Sequence, residues 1–305
     1  MKVVVLCGEF AMDQNEARAS AAQVVDAIKR LGHETYLIDF DIEAVSKIRE
    51  IAPDAAFQLS QGKSHSDGSA QTMLELIGIP YTGSRPYAAA IINHKTLCKR
   101  LWLSAGLRTP EYFELSYEEY KTGGFNGFLK KAVDNGLSLP LVVKAPTQSA
   151  RIGMTFVIDE GSFIRAEDSF RYDDVLLIER YVEGRFLTHG LIEIDGKLTT
   201  LPPVEVIDVT DDKFKKYDGF TKAADHELTP DQLAEINYMS LEAARLTCAS
   251  GVARLDYHLS DGKLYLLEIN ACPGLMRDCS DIIKCIDAAG LTYDELIGMI
   301  LATAR

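Results

Sequence analysis

The segment LYLLEINACPGL, residues 264–275, constrains this chain most, because it is an apolar strand that ends in oxygen-bearing side chains. Successive side chains of a strand point to opposite faces. This alternation predicts one shared face for Leu264, Leu266, Glu268 and Asn270. A Pro-Gly pair then ends the strand. The segment therefore predicts a carboxylate and an amide that project together from an apolar strand.

A second strand, VARLDYHL at residues 252–259, precedes it and is joined to it through an Asp-Gly turn. Such a turn favours an antiparallel hairpin. If the loop has three residues, 261–263, then Asp256 pairs with Glu268 and Arg254 pairs with Asn270. The hairpin would gather two carboxylates, an amide and a guanidinium in one cluster.

Two carboxylates that face each other repel, which disfavours this pairing unless a cation lies between them. Mg²⁺ prefers oxygen ligands, usually a few carboxylates together with substrate phosphates. A polar hairpin edge with solvated carboxylates explains the same spacing. The hairpin alone leaves both interpretations open.

Composition and charge limit the classes of function that this chain can have. The chain of 305 residues is 47% hydrophobic and 25% charged, with a formal net charge of −13. This acidic balance argues against nucleic acid and anionic membranes as partners. Its six cysteines form no CxxC pair, and Cys272, Cys279 and Cys285 fit no zinc spacing. Scattered thiols and a first segment that reads as a strand, not a signal peptide, lead us to expect a cytoplasmic protein.

Strands and helices alternate along residues 1–93, which predicts an α/β unit with a Rossmann-like parallel sheet. Residues 94–185 form a second predicted unit and residues 186–305 a third. The second unit contains a helix at 163–170 and a strand that runs to Gly184. The third begins with a hairpin at Asp195-Gly196 and continues into a charged loop at 208–226, which precedes a helix at 230–248 capped by Thr229.

Lys144 ends the apolar strand LPLVVK, and the polar loop PTQSAR follows it. A lysine at the end of a buried strand needs an anionic partner. A polar loop between two strands is a layout that suits a flap over phosphates.

Taken together, the ordered segments MLELIGIPYTGS, LPLVVK, LLIERYVEG, ARLDYH and YLLEINACPG resemble the D-alanine–D-alanine ligases of the ATP-grasp superfamily. The resemblance runs nearly end to end. It implies a three-domain ATP-grasp fold, with the parallel-sheet domain followed by two ATP-grasp subdomains. It also implies an ADP-forming ligase that phosphorylates a carboxylate and lets an amine attack the acyl phosphate, as in peptidoglycan precursor synthesis. Amino-acid substrates and a homodimer follow from the same resemblance.

The resemblance also assigns roles by position. It implies ATP contacts from Lys95, Lys144, Arg151 and the segment Glu179, Arg180, Tyr181 and Val182. It implies Mg²⁺ or Mn²⁺ ligands at Asp256, Glu268 and Asn270. Arg254 and the backbone N–H of Gly274 would stabilise the tetrahedral intermediate. Glu16 would hold the ammonium of the first substrate, and Tyr217 would lie in a closing loop.

Several positions depart from the family pattern. Ala150 replaces a serine of the flap, and Phe186 stands where a glutamate normally holds the ribose hydroxyls. Gln61 and Ser66 replace a histidine and a glutamate of the first-substrate loop, and LMRDCS at 275–280 replaces a serine-rich segment. A different amino acid or carboxylate pair, or a nucleotide-binding homologue without ligase activity, therefore stays an alternative. Arg151 and Arg277 either favour a more anionic substrate or are solvated surface arginines.

Overall fold

A parallel sheet forms the first part of the chain, as predicted. The computed structural model describes residues 1–8, 14–59, 66–149, 151–207, 220–223, 227–278 and 280–305. Strands β1 (Lys2–Cys7), β2 (Glu34–Asp39) and β3 (Ala55–Gln58) pair in the order β2-β1-β3, all parallel. Strand β1 is buried on both faces: Val3 and Val5 lie in one core cluster, and Val4 and Leu6 in another. This explains why its sequence is continuously apolar.

These strands are accompanied by the helices α1 (Gln14–Arg30), α2 (Ala44–Ile51), α3 (Ser69–Ile77) and α4 (Pro86–Ile92). Helix α4 was not predicted. Its Pro86 occupies the first turn, where the fixed backbone angle of proline suits a helix start. The short apolar stretch that follows has too little periodicity to be recognised from the sequence.

The second sheet is antiparallel, in the order β4 (Tyr112–Ser116), β7 (Val175–Arg180), β5 (Leu141–Lys144) and β6 (Met154–Val157). Helices α5 (Lys95–Ser104), α6 (Tyr117–Asp134) and α7 (Glu160–Arg165) belong to this stretch, and α7 continues as a 3₁₀ helix, Ala166–Arg171. Two predictions were wrong here. Helix α7 begins before residue 163 because Asp159 caps it, and β7 ends at Arg180, four residues before Gly184.

The third sheet contains β8 (Arg185–Ile194), β9 (Lys197–Thr200), β10 (Val204–Ile207), β11 (Phe220–Ala223), β12 (Val252–Ser260) and β13 (Lys263–Asn270). Its order is β11-β10-β8-β12-β13, and β9 pairs with β8 across the predicted Asp195-Gly196 turn. Strand β11 lies inside the segment predicted to be a loop. Strand β11 pairs with β10, which is remote from it in the sequence. This pairing outweighs the preference of the charged local sequence for a loop.

The described residues of this part also form the helices α8 (Pro230–Leu246), α9 (Asp281–Ala288) and α10 (Tyr293–Ala302). Thr229 caps α8 as predicted, accepting a hydrogen bond from the backbone of Gln232. Helix α8 packs on one face of β8, β12 and β13, and α5 adds Trp102 to the same apolar cluster. The opposite face of these strands carries the polar side chains described below. Among the described helices, none combines the length and apolarity that crossing a bilayer requires. The boundaries at 93 and 185 stay a prediction.

Candidate active site

The β12–β13 hairpin places the predicted polar residues together, but by a different route from the one predicted. Its loop has two residues, because Ser260 pairs with Lys263. Asp261 and Gly262 both have positive φ, 48° and 74°, as a tight type I′ turn requires. The pairing then shifts by one residue between Tyr257 and Asp256. The three-residue loop was therefore wrong.

This shift is a β-bulge that leaves Leu267 without a partner, so Asp256 still pairs with Glu268 and Arg254 with Asn270. The bulge also reverses the alternation of faces. Leu266 and Ile269 both pack into the apolar cluster under α8. Glu268 and Asn270 lie on the opposite face, so the prediction that they share a face with Leu264 and Leu266 was wrong.

Arg254 and Asp256 form the most closely bonded pair of the cluster. The Arg254 guanidinium donates from Nε and Nη2 to the two Asp256 oxygens, at 3.1 and 2.8 Å. Thr188 of β8 donates to the same carboxylate at 2.7 Å. Burial, and then the charge of Glu268, raise the pKa of Asp256 to about 6, while Arg254 opposes the shift. Arg254 also approaches Glu268 at 4.0 Å and Asp281 at 3.7 Å, so it balances three carboxylates.

Glu268 lies between opposite charges. Lys95, the first residue of α5, places its Nζ 3.4 Å from a Glu268 oxygen, and Asn270 donates to the other oxygen at 3.3 Å. Burial would raise the pKa of Glu268, but the charges of Lys95, Lys144 and Arg254 outweigh burial and lower the pKa to about 2. Glu268 is therefore an anion at any physiological pH.

The oxygens of Asp256, Glu268 and Asn270 are the donor set that a hard divalent cation prefers. The direct pairing of Asp256 with Glu268 brings two carboxylates together, and their repulsion falls when a cation binds between them. These residues fit Mg²⁺ on chemistry. Within the described ranges, no three His, Cys, Asp or Glu side chains are grouped to hold a metal ion. The third donor of this set is an amide, and phosphate oxygens complete such sites.

The second predicted lysine, Lys144, lies at the end of β5 and pairs with Glu179 of β7. Glu179 is 2% exposed, and its other oxygen lies 2.6 Å from Lys99 Nζ. Burial would raise the pKa of Glu179, but the two lysines hold it below its usual value. The Glu179 side chain is thus committed to lysines.

The loop between β5 and β6 rests on Lys95. The Lys95 ammonium donates to the backbone carbonyl of Gln148, and the Lys95 backbone N–H donates to Pro146. Thr147 donates from its backbone and its hydroxyl to Asp173, which anchors the loop from the other side. Arg151 in this loop has a positive φ of 59°. The described part of this flap therefore lies directly against one of the predicted phosphate ligands.

Arg180 is the last residue of β7, and the segment after it leaves the sheet and connects β7 to β8. Arg180 turns towards Glu111, with Nε 2.6 Å from its carboxylate, and lies over the Tyr265 ring. Tyr181 packs edge-on against Phe156, and Val182 is buried. Because the Arg180 guanidinium is directed to Glu111 and Tyr265, it is the backbone of this segment that lies at the end of β7.

Other predicted positions are placed only in part. Gly274 lies beside Ser280, whose hydroxyl accepts from the backbone of Met276. Glu16 falls in the first turn of α1, but its side chain lies outside the described residues, as do Tyr217, Ala150 and Gln61. Ser66 is described and partly buried.

Two of the departures have clear surroundings. Phe186 packs edge-on against His258, with ring centroids 5.5 Å apart, on the face that carries Asp256. Arg277 pairs with Asp294 at 3.5 Å and lies over the Tyr293 ring. That pairing favours a structural interpretation of Arg277 over binding of an anionic substrate.

Sequence reasoning missed three residues of the site: Thr188, Lys99 and Asp281. Thr188 follows Phe186 by two residues in a strand, so alternation places both on one face. Lys99 follows Lys95 by one helical turn, which places both on one side of α5. Asp281 comes from α9, and its approach to Arg254 depends on tertiary packing that the local sequence does not encode.

Comparison with known proteins identifies the family. Residues 101–302 match the family described as the D-ala D-ala ligase C-terminus. The chain is 34% identical to a D-alanine–D-alanine ligase of Moorella thermoacetica, over 100% of this chain and 99% of that protein. Among solved structures, a Bacillus anthracis D-alanine–D-alanine ligase complexed with ATP has a TM-score of 0.81 and 26% identity, over 99% of this chain and 97% of that one.

A D-alanyl-alanine synthetase A from Vibrio cholerae has a TM-score of 0.84 at 22% identity, over 99% of this chain and 97% of that chain. At this identity, the similarity is evidence for the fold alone. The predicted α/β ATP-grasp fold is thereby confirmed, and the described residues form one parallel and two antiparallel sheets. The family match covers residues 101–302, and the sequence identity extends over the whole chain, which therefore belongs to the D-alanine–D-alanine ligase family.

Proposed function

We propose that this chain is an ATP-dependent carboxylate–amine ligase that joins two D-alanine molecules. The observation that carries the proposal is the bulged hairpin, which sets Arg254, Asp256, Glu268 and Asn270 on one face opposite Lys95. In the reaction, a carboxylate oxygen attacks the γ-phosphorus of ATP and ADP leaves. The amine nitrogen of the second substrate then attacks the acyl carbon, loses a proton, and phosphate leaves.

Phosphoryl transfer needs positioning and charge neutralisation more than covalent chemistry. Lys95, Lys144 and Arg151 are the proposed phosphate contacts, and the backbone of 179–182 is the proposed contact for the base. Asp256, Glu268 and Asn270 would hold Mg²⁺ or Mn²⁺, which when bound neutralises charge on the phosphate oxygens. The low pKa of Glu268 keeps that ligand ionised.

The second step builds negative charge on the acyl oxygen, which a guanidinium and a backbone N–H stabilise. Arg254 and Gly274 are the proposed donors. The bidentate bond to Asp256 fixes the Arg254 plane. Burial would lower the pKa of Arg254, but the neighbouring carboxylates outweigh burial and raise it, so the guanidinium stays charged. Glu16 would receive the substrate ammonium, and Tyr217 would close over the site to exclude water.

Two alternatives differ from this proposal. A ligase for another amino acid pair retains the same hairpin and lysines, so the substrate screen below separates it. A nucleotide-binding protein without ligase activity is not favoured, because such a protein has no chemical need for the paired carboxylates beside Arg254. We further propose that the substrates are small-molecule amino acids, that the chain forms a homodimer and that its location is cytoplasmic. We propose neither nucleic acid nor a membrane as a partner.

The test is a phosphate-release screen with MgATP and D- or L-amino acids, alone and in pairs. We expect release with D-alanine, and loss of at least about a hundredfold in Glu268→Gln, since a ligand charge at the reacting phosphate is removed. Glu114→Gln is the matched control, because Glu114 is on β4 and pairs with Arg100. Absence of turnover with every amino acid tested contradicts the ligase proposal.

A further inference from the structure

A buried chain of bonds links the two antiparallel sheets through Lys99. The Lys99 side chain is fully buried, and its ammonium donates to the Thr109 hydroxyl at 2.5 Å and to the Pro110 carbonyl at 3.0 Å. Thr109 in turn donates to the backbone carbonyl of Leu266 in β13 at 2.7 Å. On the other side, Lys99 lies 2.6 Å from a Glu179 oxygen. The ammonium therefore connects β13 to the end of β7.

Glu179 divides its carboxylate between two lysines, one oxygen to Lys99 and the other to Lys144. The trio carries a net charge of +1. Without Lys99, a single carboxylate and a single ammonium would remain, and Lys144 alone would have to neutralise Glu179. The positive charge that Lys144 offers to an anion in the site depends on Lys99 sharing the carboxylate.

Lys99 itself has no exposed surface and so cannot touch a nucleotide. Burial lowers the pKa of Lys99 to about 8, against the raising effect of Glu179, so the ammonium form still dominates at neutral pH. The Tyr112 ring lies 5.2 Å from Nζ and adds a further favourable contact. Its surroundings therefore hold it as a fixed cation.

We propose that Lys99 is a positioning residue for nucleotide binding: by sharing the Glu179 carboxylate, it leaves the positive charge of Lys144 available to the ATP phosphates. The inference rests on the proposed ligase function. It assigns no direct contact with substrate to Lys99, and it predicts an effect on ATP that passes through Glu179.

The test compares Lys99→Met with Arg100→Met, a neighbour on α5 that is exposed and pairs with Glu114. We expect Lys99→Met to raise KM for ATP about tenfold to a hundredfold, the usual effect of losing a charged hydrogen-bonding partner. The KM for the amino acid and kcat should change by less than about threefold. Arg100→Met should leave all three unchanged. An unchanged KM for ATP in a folded Lys99→Met variant overturns the inference.

A double-mutant cycle separates positioning from a general structural role. In a Glu179→Gln background, Lys99→Met should add little further change in KM for ATP, because the residue through which it acts no longer carries charge. Full additivity contradicts the inference. If Lys99→Met does not fold, Thr109→Val keeps every charge and removes one restraint on the ammonium, and should raise KM for ATP a few-fold. An unchanged KM in Thr109→Val, with no foldable Lys99 variant, counts against it.

The two proposals fail in different ways. Calorimetric binding of MgATP does not require turnover. Weaker MgATP binding in Lys99→Met, together with a wild-type protein that releases no phosphate, would support the positioning role and contradict the ligase function. Turnover in the wild type with equal MgATP binding in both proteins would do the reverse.

Discussion

Replacing Lys95 by methionine tests how strongly the site depends on charge. The pKa of Glu268 falls from an ordinary value of 4.5 to about 2. This difference corresponds to roughly 3 kcal/mol of folding stability at neutral pH. Because the pKa is depressed, that stability is present above pH 4.5 and is lost as the pH falls towards 2. Lys95 is the largest of the three cationic contributions.

We therefore expect Lys95→Met to lower the free energy of unfolding by about 1–2 kcal/mol at pH 7. The lower end is favoured, since Glu268 keeps 28% of its side chain exposed. A cation in the first turn of α5 also opposes the helix dipole, so its removal returns a few tenths of a kcal/mol.

The assay is urea unfolding at pH 7 in the absence of divalent metal, with Lys121→Met as the control. Lys121 forms an exposed pair with Glu167 at 3.0 Å, and such pairs contribute less than about 1 kcal/mol. The difference between the wild type and Lys95→Met should shrink between pH 4.5 and pH 3. Equal losses in the two variants, or a difference that does not change with pH, would refute the electrostatic argument.

Three further changes probe the same framework. Thr188→Val removes the 2.7 Å hydrogen bond to Asp256, so the pKa of Asp256 should rise further. In a pH–rate profile, turnover should therefore fall more at pH 6 than at pH 8. His189→Gln should reduce acid destabilisation between pH 6.5 and pH 4, because burial lowers the pKa of His189 to about 4 and a proton binds only on unfolding; the effect is roughly 3 kcal/mol by urea unfolding at pH 4. Gly184→Ala should destabilise strongly in thermal melts, because a Cβ there would lie 2.3 Å from a backbone carbonyl of β12, whereas Gly123→Ala in α6 has open space and should be neutral or stabilising.

The hairpin shows where sequence reasoning succeeds and fails. Asp-Gly predicted a turn, and the pairs Asp256–Glu268 and Arg254–Asn270 were right. They were right because two errors cancel: the loop is one residue shorter than predicted, and a bulge at Leu267 restores the register. A bulge has no local signature in LYLLEIN, because Leu267 is as apolar as its neighbours. The shift in strand pairing and the packing of Leu266 and Ile269 into one cluster reveal it in the structure.

Lys99 illustrates a second limit. The sequence presents it as one lysine among many on an amphipathic helix, and its position one turn after Lys95 is compatible with a solvated face. Its burial results from Glu179 and Thr109, which lie 80 and 10 residues away. Fold class and most elements follow from periodicity and turns, while buried ion pairs depend on contacts between distant segments.

We propose that this chain activates a carboxylate as an acyl phosphate. The most direct measurement uses D-alanine labelled with ¹⁸O in its carboxylate, MgATP and the wild-type protein, with mass analysis of the phosphate released. We expect one labelled oxygen to move from the carboxylate to phosphate for each dipeptide formed. Phosphate that carries only oxygen from ATP and solvent would show hydrolysis without carboxylate activation, and would contradict an acyl-phosphate mechanism.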